Sequence, residues 1–153
     1  MLDLVEGAKI ICGVQPTTGT ASSALYSDWI NCENYHRVWA ICTRGTGTGA
    51  DTKEFSANVA ESYAGASAQK IAATYWNSTQ LALDRLMKST NTTGALSGTT
   101  GGMVVILYDP SVADSSDKYF AVGMTSAGPY SVTYICEPRY AGYQATLGTT
   151  SST

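Results

Sequence analysis

Through much of this chain apolar and polar residues alternate with a period of two, the pattern of strands buried on one face. Between Arg37 and Cys42, Val38, Ala40 and Cys42 fall on one side and Arg37, Trp39 and Ile41 on the other. Phe55, Ala57, Val59, Glu61 and Tyr63 line one face of a second run. Phe120, Val122 and Met124 repeat the alternation, as do Tyr130, Val132, Tyr134 and Cys136. The segment from Gly102 to Tyr108 is apolar throughout, which predicts a strand covered on both faces. The stretches "TSAGP" and "DPSVADSSDK" between these runs carry turn chemistry.

One segment does not follow the alternation. Leu83, Leu86 and Met87, within residues 79–88, stand at i, i+3 and i+4, the spacing of a short amphipathic helix, so helix and strand both stay open there. The expectation is an all-β or mostly β fold, a single-domain β-sandwich or β-barrel of about seven to nine strands with room for one short helix. Residues 1–143 form the domain with an N-terminal arm and a C-terminal extension, and the polar, unpatterned residues 144–153 form a flexible tail.

Composition narrows the function classes. The 153 residues carry 9 Lys plus Arg against 12 Asp plus Glu, a net charge of -3, so no basic stripe is available for nucleic acid. Charged residues are only 14% of the chain, against roughly 25% in an ordinary soluble domain, so the surface is either weakly solvated or partly covered by another protein. No apolar run reaches the length of a membrane span, and Asp3, Glu6 and Lys9 interrupt the N-terminal run before a signal-peptide core could form. The expectation is a protein that stays in the compartment where it is made. Cys12, Cys32, Cys42 and Cys136, spaced 20, 10 and 94 residues apart, have no zinc-site spacing and read as buried reduced thiols.

The glycine-rich stretch "RGTGTGADTKEF" resembles a phosphate loop at first sight. A P-loop needs lysine directly after the last glycine and a helix behind it, whereas Lys53 lies four residues past Gly49 and strand periodicity follows. Gly45, Gly47 and Gly49 also miss the dinucleotide pattern, so the stretch reads as a connection between two strands. His36 is the single histidine; Glu33 could orient it and Cys32 or Cys42 could attack, but both cysteines sit in buried-looking strands, and a surface histidine is the simpler reading. Asp109, Asp114 and Asp117 lack the register of a calcium loop and read as solvated turn carboxylates. The asparagines of the sequons at Asn77 and Asn91 matter only in a secreted eukaryotic protein. No catalytic, cofactor or metal residue is assigned.

Ten tyrosines and three tryptophans against two phenylalanines is a balance suited to surfaces that a partner buries while they stay partly wet. Some must fill the core. Tyr140 and Tyr143 stand apart, because Pro138 ends the strand before them and a glycine separates them, as in an arm leaving the domain. Trp29, Trp39, Pro138, Arg139, Tyr140 and Tyr143 are therefore the candidate contact residues.

Taken in order, "LVEGAKIICGVQP", "SDWINCENYHRVWAIC" with its Gly-rich loop, "MVVILYDPSVAD" and the ending "CEPRYAGY" make the chain similar to small tailed-bacteriophage head proteins, the capsid decoration or cement proteins. That resemblance implies a β-sandwich or β-barrel bound to the outside of an assembled capsid. Its partner would be the major capsid protein, the oligomer commonly a trimer at a symmetry axis, and the location the virion exterior after synthesis in the host bacterial cytoplasm. It implies no enzyme and no cofactor, and it transfers no binding residue. The alternatives are a phage tail or fibre module that binds host glycans through Trp and Tyr, and a small cytoplasmic β-fold hydrolase using His36 and Cys32.

Overall fold

The structure, a computed structural model, describes residues 8–14, 25–45, 53–79, 82–91, 93–96, 102–112, 114–124 and 129–139. These contain twelve strands: β1 (Lys9–Val14), β2 (Leu25–Tyr26), β3 (Ile30–Asn31), β4 (Tyr35–Arg44), β5 (Lys53–Ala60), β6 (Gln69–Ile71), β7 (Ala73–Thr79), β8 (Ala82–Asn91), β9 (Gly94–Leu96), β10 (Gly102–Tyr108), β11 (Tyr119–Met124) and β12 (Tyr130–Pro138). Eight of them have six residues or more, within the expected seven to nine, and the other four are two or three residues long. A single 3-10 turn, Pro110–Val112, is the one helical element among the described residues.

Two antiparallel sheets face each other as a sandwich. The first has the order β1-β12-β4-β10-β7-β8; the second runs β2-β11-β5-β6, with β3 beside β2 on β11 and β9 beside β6 on β5. From β4 to β5, and again from β10 through β11 to β12, successive strands cross from one sheet to the other, so the core is closed by contacts distant in sequence.

Of the segment left open between helix and strand, Thr79 ends β7 and residues 82–88 belong to the strand β8. Its residues pair with β7 from Ala73↔Asn91 to Ser78↔Leu86, with an irregularity at Thr79. Three apolar positions over one helical turn are a weak signal, and the hairpin satisfies the backbone groups of β7 along a whole edge. The run from Phe55 also ends sooner than its alternation implied: β5 stops at Ala60, and Tyr63 lies in the following turn, 66% exposed. Ser67 and Gly65 adopt positive φ in that turn, and Gly65 packs its backbone against the Trp29 ring.

The predicted inward phases hold. Val38, Ala40 and Cys42 of β4 meet Phe55, Ala57 and Val59 of β5 and Phe120, Val122 and Met124 of β11 in one buried cluster. Tyr108 stacks on Phe120 across the core with centroids 4.5 Å apart and planes 6° apart, and Tyr134 meets the same ring edge-on at 5.9 Å. Tyr35, Tyr75, Tyr108 and Tyr134 are all buried, so part of the tyrosine excess is core and not surface. Two of these hydroxyls reach the opposite sheet: Tyr75 Oη accepts the Ala57 N–H at 2.9 Å, and Tyr134 Oη accepts the Val122 N–H at 3.2 Å.

Candidate interaction face

The outward phase of the first sheet departs from the usual pattern of a one-sided antiparallel sheet, which alternates apolar inside with polar outside. The registers place Ile10, Ile135, Trp39 and Leu107 in one row across β1, β12, β4 and β10, continuing to Thr74 and Thr90. The next row runs Cys12, Thr133, Ile41, Val105, Trp76 and Lys88. Trp39 and Trp76 flank β10 and meet above it at 5.5 Å between centroids, with the Lys88 ammonium 5.9 Å from the Trp76 ring. Neighbouring side chains half-cover most of these apolar residues, and Ile10 at the edge is 50% exposed.

Polar groups frame this centre. Thr43 and Ser131 exchange a 2.7 Å hydrogen bond beside Met103, and Arg37 and Glu137 are register partners at the other end of the strands. An apolar aromatic centre with a polar rim is the anatomy of a protein contact surface. The 102–108 strand is thus not covered on both faces as predicted: Val104, Ile106 and Tyr108 are buried, while Met103, Val105 and Leu107 lie in the outer face, which no helix or strand covers among the described residues.

The predicted contact residues are not gathered in one place. Trp39 lies in this face. Trp29 lies between β2 and β3 on the second sheet, its ring 5.3 Å from Tyr26. Pro138 ends β12 at a register shift, and Arg139 is tied to the β3–β4 turn through its N–H to Asn34 O and its Nε to Tyr35 O, both at 2.9 Å. Tyr140 and Tyr143 lie outside the described residues, as does most of the glycine-rich stretch, although Lys53 opens a strand as expected. Sequence reasoning missed Trp76, Ile41, Val105, Leu107 and Ile135. The signal was present, since Trp39 and Ile41 occupy the phase opposite a fully apolar one and residues 102–108 have no polar phase at all.

Arg139 also lines a pocket of about 310 Å³ with Cys32, Glu33, Pro110, Asp114, Asp117 and Lys118. Lys118 pairs with Glu33 at 2.7 Å on its rim; the ammonium beside Glu33, with Asn31, holds that carboxyl below its usual range. Glu33 is therefore engaged away from His36, which is exposed on β4. Burial pushes the Cys32 thiol well above its ordinary range, with Cys136 adding to the shift, the opposite of what an attacking thiolate requires. Asp117 is not a solvated turn carboxylate: it is 8% exposed and accepts Gln69 Nε2 at 2.8 Å. The Ser111 hydroxyl, and with it the Ser111 N–H that Asp109 accepts at 2.9 Å, lowers the pKa of Asp109. Among the described residues no group of three or more His, Cys, Asp or Glu side chains is placed to hold a metal ion, and no helix is long and apolar enough to cross a membrane.

All four cysteines are free thiols, as their spacing implied, but Cys12 is exposed on the edge strand and not buried. No protein-family model matches the chain, and no curated protein sequence matches it. Among solved structures it is similar to the crystal structure of the SPBc2 prophage-derived protein YomS, with a TM-score of 0.54 at 10% identity over 84% of this chain and 91% of that one. At that identity the likeness is one of fold: this β-sandwich is built like a protein of prophage origin.

Proposed function

We propose that this chain is a structural component of a phage particle, a decoration protein that attaches to the outside of an assembled capsid and stabilises it by contact and not by catalysis. The observation that carries the reading of a contact protein is the outer face of the first sheet, where Trp39, Trp76, Ile41, Val105 and Leu107 form a surface suited to burial by protein. The fold shared with a prophage-derived protein and the order of the sequence motifs favour a phage setting. A protein that bridges neighbouring capsid subunits binds the assembled shell alone and so adds free energy to that state. Several weak attachments suffice, because each one after the first is effectively intramolecular.

The partner is the major capsid protein, and the segment that follows Pro138 and Arg139, with Tyr140 and Tyr143, is the attachment point. The test is co-sedimentation of labelled protein with mature capsids that lack it, beside unassembled capsid subunits. Binding to capsids and not to free subunits is expected, and loss of binding on truncation after Arg139 assigns attachment to the segment beyond it. Absence of the intact protein from the capsid pellet rejects the decoration role.

A further inference from the structure

The apolar outer face needs an occupant, and the structure narrows the choice. We infer that a second copy of this chain covers it, so that the protein acts as a two-fold pair joined through the outer faces of their first sheets. This rests on the reading of that face as a protein contact surface, and it leaves the Pro138–Arg139 corner free for the shell.

Three features favour a self-pair. The first is charge. Among the described residues the two central rows contain a single charged side chain, Lys88 at the edge of the second row. Arg37 and Glu137 sit side by side at the rim with opposite signs. A surface that is apolar at its centre and mixed in sign at its margin meets its own image without forcing like charges together, whereas a face shaped for a charged partner would carry a field of one sign.

The second is shape. Sheet faces pack on one another about 10 Å apart with aligned strands, interdigitating the side chains of the two faces. The large rings of Trp39 and Trp76 meeting above β10, with the smaller side chains of Thr133 and Thr74 in the same two rows, give the face side chains of unequal size, as such packing uses. An isologous contact employs one patch on both copies and closes at two, whereas a ring of three needs two different patches on each chain. The first sheet offers one patch of this kind among the described residues, so a pair, and not the trimer that the family resemblance implied, is the form this face supports.

The third is size. Six strands span roughly 24 Å between the outermost two, and the apolar rows with their rims run about 20 Å along the strands. Two such faces together remove on the order of 1,000 Å² from water, the lower end of specific interfaces. A contact of that size falls among the weak, reversible interfaces and is expected to loosen on dilution.

The experiment uses the full chain alone, without capsids. Sedimentation equilibrium of the wild type should give twice the 16.1 kDa chain mass at high concentration, falling toward one chain on dilution, with a red shift of tryptophan emission as Trp39 and Trp76 become wet. Leu107→Lys and, separately, Ile41→Lys each place a charge at the centre of the face and should give single chains with unchanged far-ultraviolet circular dichroism. Tyr63→Ser, in an exposed turn of the other sheet, should keep the pair. A single-chain mass at every concentration, a three-chain mass, or an oligomer that folded lysine variants leave intact overturns the inference. Should both lysine variants fail to fold, the wild-type dilution series decides: a two-chain mass that dissociates without the emission shift overturns it. Shell binding by single-chain Leu107→Lys is scored separately, so that loss of pairing and loss of the decoration role are told apart.

Discussion

Ala57 and Val122 face each other across β5 and β11, and each has its N–H taken by a tyrosine hydroxyl reaching over from the other sheet. Both sit where one short edge strand gives way to another. Along β5 the neighbour changes from β9, at Lys53 to Phe55, to β6, at Ala57 to Val59. Along β11 it changes from β3, at Tyr119 and Phe120, to β2, at Gly123 and Met124. At the second break Ser27 joins in: its Oγ accepts the Val122 N–H at 2.9 Å and hydrogen-bonds Tyr134 Oη. The interrupted edges thus leave donors inside the sandwich that a strand would otherwise take, and tyrosine supplies both ring volume and acceptor.

Tyr75→Phe and Tyr134→Phe should therefore destabilise the fold although each removes one oxygen. Loss of the acceptor leaves a buried N–H short of a partner, at a cost of about 1–3 kcal/mol. Each variant should lower the melting temperature by several degrees. Tyr134→Phe is expected to cost less at the N–H itself, because Ser27 Oγ stays within reach of Val122. Wild-type denaturant midpoints for both variants would show that these hydroxyls carry no weight.

Tyr108→Phe should behave in the opposite way. Among the described residues the buried Tyr108 hydroxyl has no hydrogen-bond partner, and the ring stacks on Phe120 whether or not the oxygen is present. Removing an unsatisfied buried polar group is expected to leave stability unchanged or raise it by about 1 kcal/mol. A clear loss in urea unfolding would reveal a partner for that hydroxyl.

Gly13 lies in β1 at the register shift between Cys12 and Val14, directly over the buried ring of Tyr134. A Cβ there would overlap Tyr134 Cε2 and come within 2.9 Å of Cδ2. Because that ring is locked in the core, Gly13→Ala should cost about 1–3 kcal/mol, as overpacking does. Differential scanning calorimetry should show a lowered transition; an unchanged one would mean that the β1 edge shifts freely.

Stability should fall on the alkaline side. Burial raises Tyr75 to about 12, against the opposing Ala57 hydrogen bond, and raises Cys136 to about 12; Tyr108, Tyr134 and Cys42 are pushed up further. In the unfolded chain thiols and phenols ionise at about 8.5 and 10. The native state therefore holds protons that the unfolded state releases, so stability is full below about pH 8 and declines as pH rises toward 12. Urea midpoints from pH 7 to 11 should trace that decline. At pH 8 and at dilutions where the protein is a single chain, a thiol reagent should label Cys12 quickly in the native protein and all four cysteines only after unfolding.

Much of the architecture was legible in the chain because a strand's inward phase is a local property. Val38, Ala40 and Cys42, or Phe120, Val122 and Met124, must turn one way together, and water expels the apolar side. The free cysteines and the strand beginning at Lys53 were readable on the same local grounds. Tertiary structure alone decided where each strand sits. It set Trp76 against Trp39 over β10, although 37 positions separate them in the sequence, and so turned scattered outward apolar residues into one face. It made residues 82–91 a strand, because the edge of β7 offered a full ladder of hydrogen bonds that an isolated turn of helix could not match. It buried Asp117 against Gln69 and drew Glu33 to Lys118 and away from His36, partnerships between segments far apart in sequence whose approach depends on how the strands pack. Periodicity determines which way a side chain points; only the packing of distant strands determines what it meets there.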